Sequence, residues 1–206
     1  DQSDSGAVMR AFVAIEITQA VASKLNNVQY ALQEAVGGQA VRWVSLDRMH
    51  ITLKFLGEIS VDQASQLLQE FRRATESVEP FALAATGLGC YPHCRRPRLL
   101  WAGVEDDLSE LELLQNVTER CAVQLGHTPE RRRFSAHLTL GRVRSELRRA
   151  EVDALSEAIR AAKGLRFAEW RVAEIVLMKS PLARGRAQYA RWARIPFRHD
   201  DHTTIR

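Results

Sequence analysis

His50-Ile51-Thr52-Leu53 and His137-Leu138-Thr139-Leu140 are one four-residue pattern occurring twice. Each copy alternates polar and apolar residues and is rich in Ile, Leu and Thr, which predicts a half-buried strand. Side chains of a strand point alternately to its two faces. His and Thr therefore share one face, and the aliphatic residues back them on the other.

Working outward from these strands, the flanking segments have clear periods. Met9 to Ile17 reads as a first strand. Thr18 can cap a helix whose Val21, Leu25, Val28, Leu32 and Val36 keep helical spacing up to Gly37-Gly38. Val41 to Leu46 is a short strand leading into the first motif strand, which runs to about Ile59. Ser60 and Gln63 can form a capping box for a second helix that Pro80 stops. Strands follow at Phe81 to Cys90 and Leu99 to Val104, then a third helix after Asp107, carrying Leu111, Leu114, Val117 and Leu125. Phe134 to Val143 holds the second motif. A fourth helix spans about Arg148 to Ala162, and the last strands are Leu165 to Met178 and Gln188 to Phe197.

The order contains a repeat. Phe81 follows His50 by 31 residues and Phe167 follows His137 by 30; Trp101 and Tyr189 follow their histidines by 51 and 52. Two β-α-β-β modules imply two similar lobes related by an approximate two-fold axis, with the histidines facing each other across a groove. Residues 9–197 read as one bilobal domain with intertwined lobes, and 1–8 and 198–206 as polar tails.

With 206 residues and 46% apolar content, the chain can bury a substantial core. No run approaches the roughly 20 apolar residues of a membrane helix, and the acidic start is unlike a secretory signal. Three cysteines (Cys90, Cys94 and Cys121) are too few and odd in number for a disulfide framework. The expectation is free thiols, a reducing cytoplasm and a monomer. The run Cys90-Tyr91-Pro92-His93-Cys94 lacks the second Cys/His pair that zinc requires. The net charge of +4 suits an anionic partner.

Paired histidines suit phosphodiester chemistry. Imidazole, with an ordinary pKa of about 6.5, can give or take a proton at neutral pH. Two of them can act in line as acid and base, while two threonine hydroxyls donate to the non-bridging oxygens as charge develops. No cluster of Asp and Glu accompanies either copy, so no metal is required of these residues.

Met9-Arg10-Ala11-Phe12-Val13-Ala14-Ile15, Arg42-Trp43-Val44, His50 to Gly57, Arg96 to Trp101 and His137 to Arg142 closely resemble the two-histidine phosphoesterases. The nearest branch is the bacterial and archaeal RNA 2′,3′-cyclic phosphodiesterases, historically called 2′-5′ RNA ligases. The resemblance covers about residues 9–197. It implies an α+β fold with antiparallel sheets lining a cleft and helices outside. It also implies metal- and cofactor-free opening of a 2′,3′-cyclic phosphate, on RNA 3′ ends or small cyclic nucleotides, to a 2′-phosphate. By carry-over His50 protonates the departing 3′ oxygen, His137 activates water, and Thr52 and Thr139 hold the phosphate.

Four further candidates follow. Lys54 shares parity with His50 and can point into the cleft. Arg142 matches a family arginine, but alternation turns it away from His137 unless a bulge at Gly141 intervenes. Phe12 and Tyr189 can contact a nucleobase. The arginines at 95–98 and 131–133 can attract an RNA backbone or simply be solvated. Two other functions use the same residues: reversible RNA joining, and nucleotide or RNA binding without turnover.

Overall fold

The computed structural model describes residues 8–37, 39–107, 109–180 and 189–198. The expectations for residues 1–7 and for the tail from His199 lie outside them. Two antiparallel sheets carry the fold, and strands β1 (Val8–Glu16) and β3 (His50–Ser60) run side by side in the first. Beyond β1 come β8 (Glu174–Ser180) and β9 (Ala190–Pro196), giving the order β3-β1-β8-β9. The second sheet has the order β2-β6-β5-β4-β7. Its members are β2 (Val41–Trp43), β4 (Phe81–Tyr91), β5 (Leu99–Glu105), β6 (His137–Val143) and β7 (Arg166–Val172).

Four amphipathic helices bury the backs of these sheets. Helices α1 (Gln19–Val36) and α4 (Arg149–Ala161) pack on each other and on the second sheet. Helices α2 (Val61–Thr75) and α3 (Glu110–Gln124) do the same for the first. Thr18 accepts from the Val21 N–H at 3.3 Å, and Ser60 with Gln63 forms the expected capping box. Leu25, Ile51, Leu67, Leu138, Leu140 and Ile175 are fully buried between sheets and helices.

The duplication is present, but its strands are exchanged. After β3 the chain crosses to the second sheet, where the β4-β5 hairpin pairs with β6 of the other module. After β6 and β7 it returns, and the β8-β9 hairpin pairs with β1. Each motif strand therefore shares its sheet with the other module's hairpin. The segment Leu165 to Met178 is correspondingly two strands, broken at Ala173, one in each sheet. The strand expected over Val41 to Leu46 ends at Trp43 and gives way to a single 3-10 turn, Leu46–Arg48.

The cysteine expectation is corrected. Cys90 and Cys94 are joined by a disulfide, their Cα atoms 5.3 Å apart, a separation a bridge spans without backbone movement. The loop following β4 turns back on itself and brings the two residues within reach. Only Cys121 remains a free thiol among the described residues, and it is buried. A reducing compartment inferred from free thiols thus loses its premise. No helix of the described residues is long and apolar enough to cross a membrane.

Candidate active site

The two motif strands lie in different sheets, yet β3 and β6 approach each other. His50, Thr52, His137 and Thr139 are all half-buried on their strands, while Ile51, Leu53, Leu138 and Leu140 are buried behind them. The alternation read from the sequence therefore holds through each motif.

It fails immediately afterwards, in both strands. Along β3, Thr52 pairs with Ala14 and Lys54 with Val13, so Leu53 is an extra residue. Along β6, Thr139 pairs with Trp101 and Gly141 with Leu100, so Leu140 is extra. An extra residue makes a β-bulge and reverses which face the following side chains occupy.

The two bulges have opposite consequences for the expectations. In β6 the bulge turns Gly141 inward and leaves Arg142 exposed on the histidine side. Gly141 must be small, because a Cβ there would sit 2.6 Å from Val41 Cγ1. In β3 the bulge turns Lys54 away, so the expected cleft-facing lysine is corrected. Lys54 is 5% exposed and donates at 2.8 Å both to Glu119 Oε1 on α3 and to the Thr128 carbonyl. Phe55 takes the cleft face instead and is 71% exposed.

Each imidazole is flanked by aromatics. The His50 ring lies 4.9 Å from Phe12 and 5.6 Å from Tyr189, centroid to centroid. Phe12 is buried, in a small cluster with Ala14, Val176 and Met178, so it forms a wall beside His50 rather than an open platform. Tyr189 and Phe55 are the accessible rings. His137 lies 6.4 Å from Trp101, whose indole lies so close over Gly89 opposite that any side chain there would collide with it.

Charges across the site bear on His50. Burial is the main cause that holds its pKa below the ordinary histidine value. A backbone hydrogen bond to Arg48 and the Glu16 carboxylate oppose that fall, while the positive charge of Arg142, and of His137 whenever it is protonated, adds to it. Glu16 is in turn clasped by Arg191, whose Nε lies 2.8 and 2.7 Å from its two oxygens. His137 Nδ1 lies 2.7 Å from the Ser135 carbonyl oxygen. A carbonyl only accepts, so Nδ1 carries the proton and Nε2 of the neutral ring is left as an acceptor.

Sequence reasoning missed Phe55, Glu16 and the bulge at Leu53. The adjacent apolar pair Phe55-Leu56, which interrupts alternation, was the available signal for the bulge. Arg95, Arg96 and Arg98 of the β4-β5 loop, with Arg144 after β6, help line a recess of about 320 Å³ that neither histidine lines. Among the described residues, no three His, Cys, Asp or Glu side chains gather as a metal site would need.

The family described as "LigT like Phosphoesterase" matches residues 15–101 and again 103–189, one match for each motif. The RNA 2′,3′-cyclic phosphodiesterase of Aquifex aeolicus is 29% identical over 176 residues, covering 85% of this chain and 90% of that protein. The enzyme of the same name from Methanothermobacter thermautotrophicus is 30% identical over 174 residues, covering 84% and 91%. The crystal structure of the Thermus thermophilus protein TT0787 superposes with a TM-score of 0.76 at 22% identity, covering 93% of this chain and all of that one.

Proposed function

The chain belongs to the LigT-like phosphoesterase family, and on that premise we propose that it hydrolyses 2′,3′-cyclic phosphates of RNA ends or nucleotides to 2′-phosphates. The relatives' names supply the substrate class. The observation that carries the mechanism is the approach of β3 and β6 from opposite sheets, each with its His and Thr half-buried on one face. One anion bound between the motif strands would lie against both rings.

The steps follow from the ring states. His137, its Nδ1–H held by Ser135, takes a proton from water at Nε2, and the resulting hydroxide attacks phosphorus. The P–O3′ bond breaks, and His50 delivers a proton to the departing 3′ oxygen. Thr52, Thr139 and Arg142 hold the non-bridging oxygens, where negative charge accumulates. His50 must be protonated to act as acid, although its pKa in the free protein is lowered. The substrate anion corrects this: its charge favours imidazolium and offsets Arg142. The acid is therefore loaded by substrate binding.

Tyr189 and Phe55 offer ring faces for the terminal base, and the arginine-lined recess offers cations for phosphates further along an RNA strand. The exposure of both rings leaves the site open to water, which favours hydrolysis over joining. The test is mass analysis of products from an oligonucleotide ending in a 2′,3′-cyclic phosphate. A product heavier by one water, with the phosphate on the 2′ oxygen, is expected. His50→Ala and His137→Ala should each abolish it; a fully active variant of either kind overturns the mechanism.

A further inference from the structure

The buried face of α1 carries one residue out of keeping with its neighbours. Gln29 is 5% exposed and sits on the same face as Leu25, Leu32 and Val36. An amide buried among aliphatic chains is costly unless it is hydrogen-bonded. Its Nε2 donates at 2.8 Å to two carbonyls, those of Leu140 and Val44. Leu140 is the extra residue of the β6 bulge, and its carbonyl also accepts from the Val44 N–H at 2.9 Å.

We propose that Gln29 is a positioning residue for the phosphate site, holding the β6 bulge that turns Arg142 onto the face of His137 and Thr139. The inference rests on the phosphoesterase reading above. A bulge is one residue away from regular pairing, and losing it would send Arg142 to the core side and Gly141 outward. Gln29 opposes that slip from behind the sheet, tying Leu140 to the segment that follows β2. Val41 and Trp43 close on Gly141 from the neighbouring strand, so the distortion is held on two sides.

The other module repeats the device across the duplication. Gln115, buried on α3, points its Nε2 at the carbonyl of Leu53, the extra residue of the β3 bulge, at a longer 3.5 Å. In both cases the helix that opens one matched repeat, α1 of 15–101 or α3 of 103–189, braces the motif strand of the other. The shorter, doubled contact of Gln29 and the charge it governs make it the stronger of the two.

A double-mutant cycle between Gln29→Met and Arg142→Met tests this, using a 2′,3′-cyclic mononucleotide as substrate. Gln29→Met removes both donors at similar volume. We expect it to lower kcat/KM about tenfold in the wild-type background and less than about twofold when Arg142 is already gone, because coupled residues are non-additive. A loss of equal size in both backgrounds, or none in either, overturns the proposal. Should Gln29→Met not fold, Gln29→Glu keeps the shape while retaining at most one donor, and it carries the same cycle. A wild-type protein inactive on the substrate refutes the hydrolytic reading instead. In that case the cycle is read on the affinity for inorganic phosphate, where additivity still overturns the role of Gln29.

Discussion

His50 and Tyr189 are 139 positions apart in the chain, yet their rings meet edge to face, with centroids 5.6 Å apart and planes at 87°. The contact results from the exchange of hairpins, which brings the second module's aromatic beside the first module's histidine. Trp101 stands in the mirrored place beside His137. Edge-to-face aromatic contacts contribute about 0.5–1.5 kcal/mol each, enough to hold an imidazole in one orientation.

The accessible rings should serve substrates with a base. Tyr189→Ala and Phe55→Ala are expected to raise KM for a cyclic mononucleotide about 5- to 160-fold, from the ~1–3 kcal/mol that base stacking is worth. Because both side chains are exposed, thermal unfolding should move little. Unchanged steady-state KM in both variants would remove these residues from the binding site.

Protonation of His50 gives a signed prediction. Removing the Arg142 charge relieves one cause of its lowered pKa, so Arg142→Met should raise the His50 pKa in a proton NMR titration. The pH–rate profile of the wild-type protein should carry the same signature. With His50 as the acid, activity is lost as pH rises through its pKa. That loss should come at a lower pH for kcat/KM, which reports the free enzyme, than for kcat, which reports the complex. Coincident limbs would contradict loading of the acid by substrate.

Lys54 has become a stability residue. Its ion pair with Glu119 is nearly closed to solvent, with side chains 4% and 18% exposed, and Glu119 Oε2 has no hydrogen-bond partner. Removing one member of a buried pair strands the other, typically at about 3–5 kcal/mol. Lys54→Met should lower the unfolding free energy by that order in a denaturant titration, and adding Glu119→Leu should recover much of it. An unchanged midpoint in Lys54→Met would show that the pair contributes nothing.

The arginine recess makes a prediction about length. Arg95→Glu with Arg144→Glu should raise KM for an oligonucleotide and flatten its salt dependence, since each lost phosphate contact lowers the slope by about 0.7 for single strands. Kinetics on a cyclic mononucleotide should be unaffected. Equal effects on both substrates would assign these charges to the catalytic centre instead.

The legible parts of this molecule were those governed by local periodicity. His50, Thr52, His137 and Thr139 share their faces because a strand alternates, and the Ser60–Gln63 box is a local hydrogen-bond pattern. The glycine after Leu140 gave away one bulge. Leu53 is followed by lysine, which reads equally well on either face, so the second bulge showed only in the later Phe55-Leu56 pair and Lys54 was placed on the wrong side. The exchange of hairpins was hidden for another reason: equal spacings of 51 and 52 residues fit both self-contained and exchanged modules. Only pairing between distant strands decides between them. The Cys90–Cys94 bridge likewise depends on how tightly the loop closes, which an odd count of cysteines does not reveal.

The most direct measurement is a titration of inorganic phosphate into protein carrying nitrogen-15-labelled histidine, followed by NMR. A shared anion site predicts that the His50 and His137 ring nitrogens both shift, with a single affinity, and that His50 moves toward the protonated state as phosphate binds. Shifts confined to one ring, or two rings reporting different affinities, would mean that the histidines do not serve one anion.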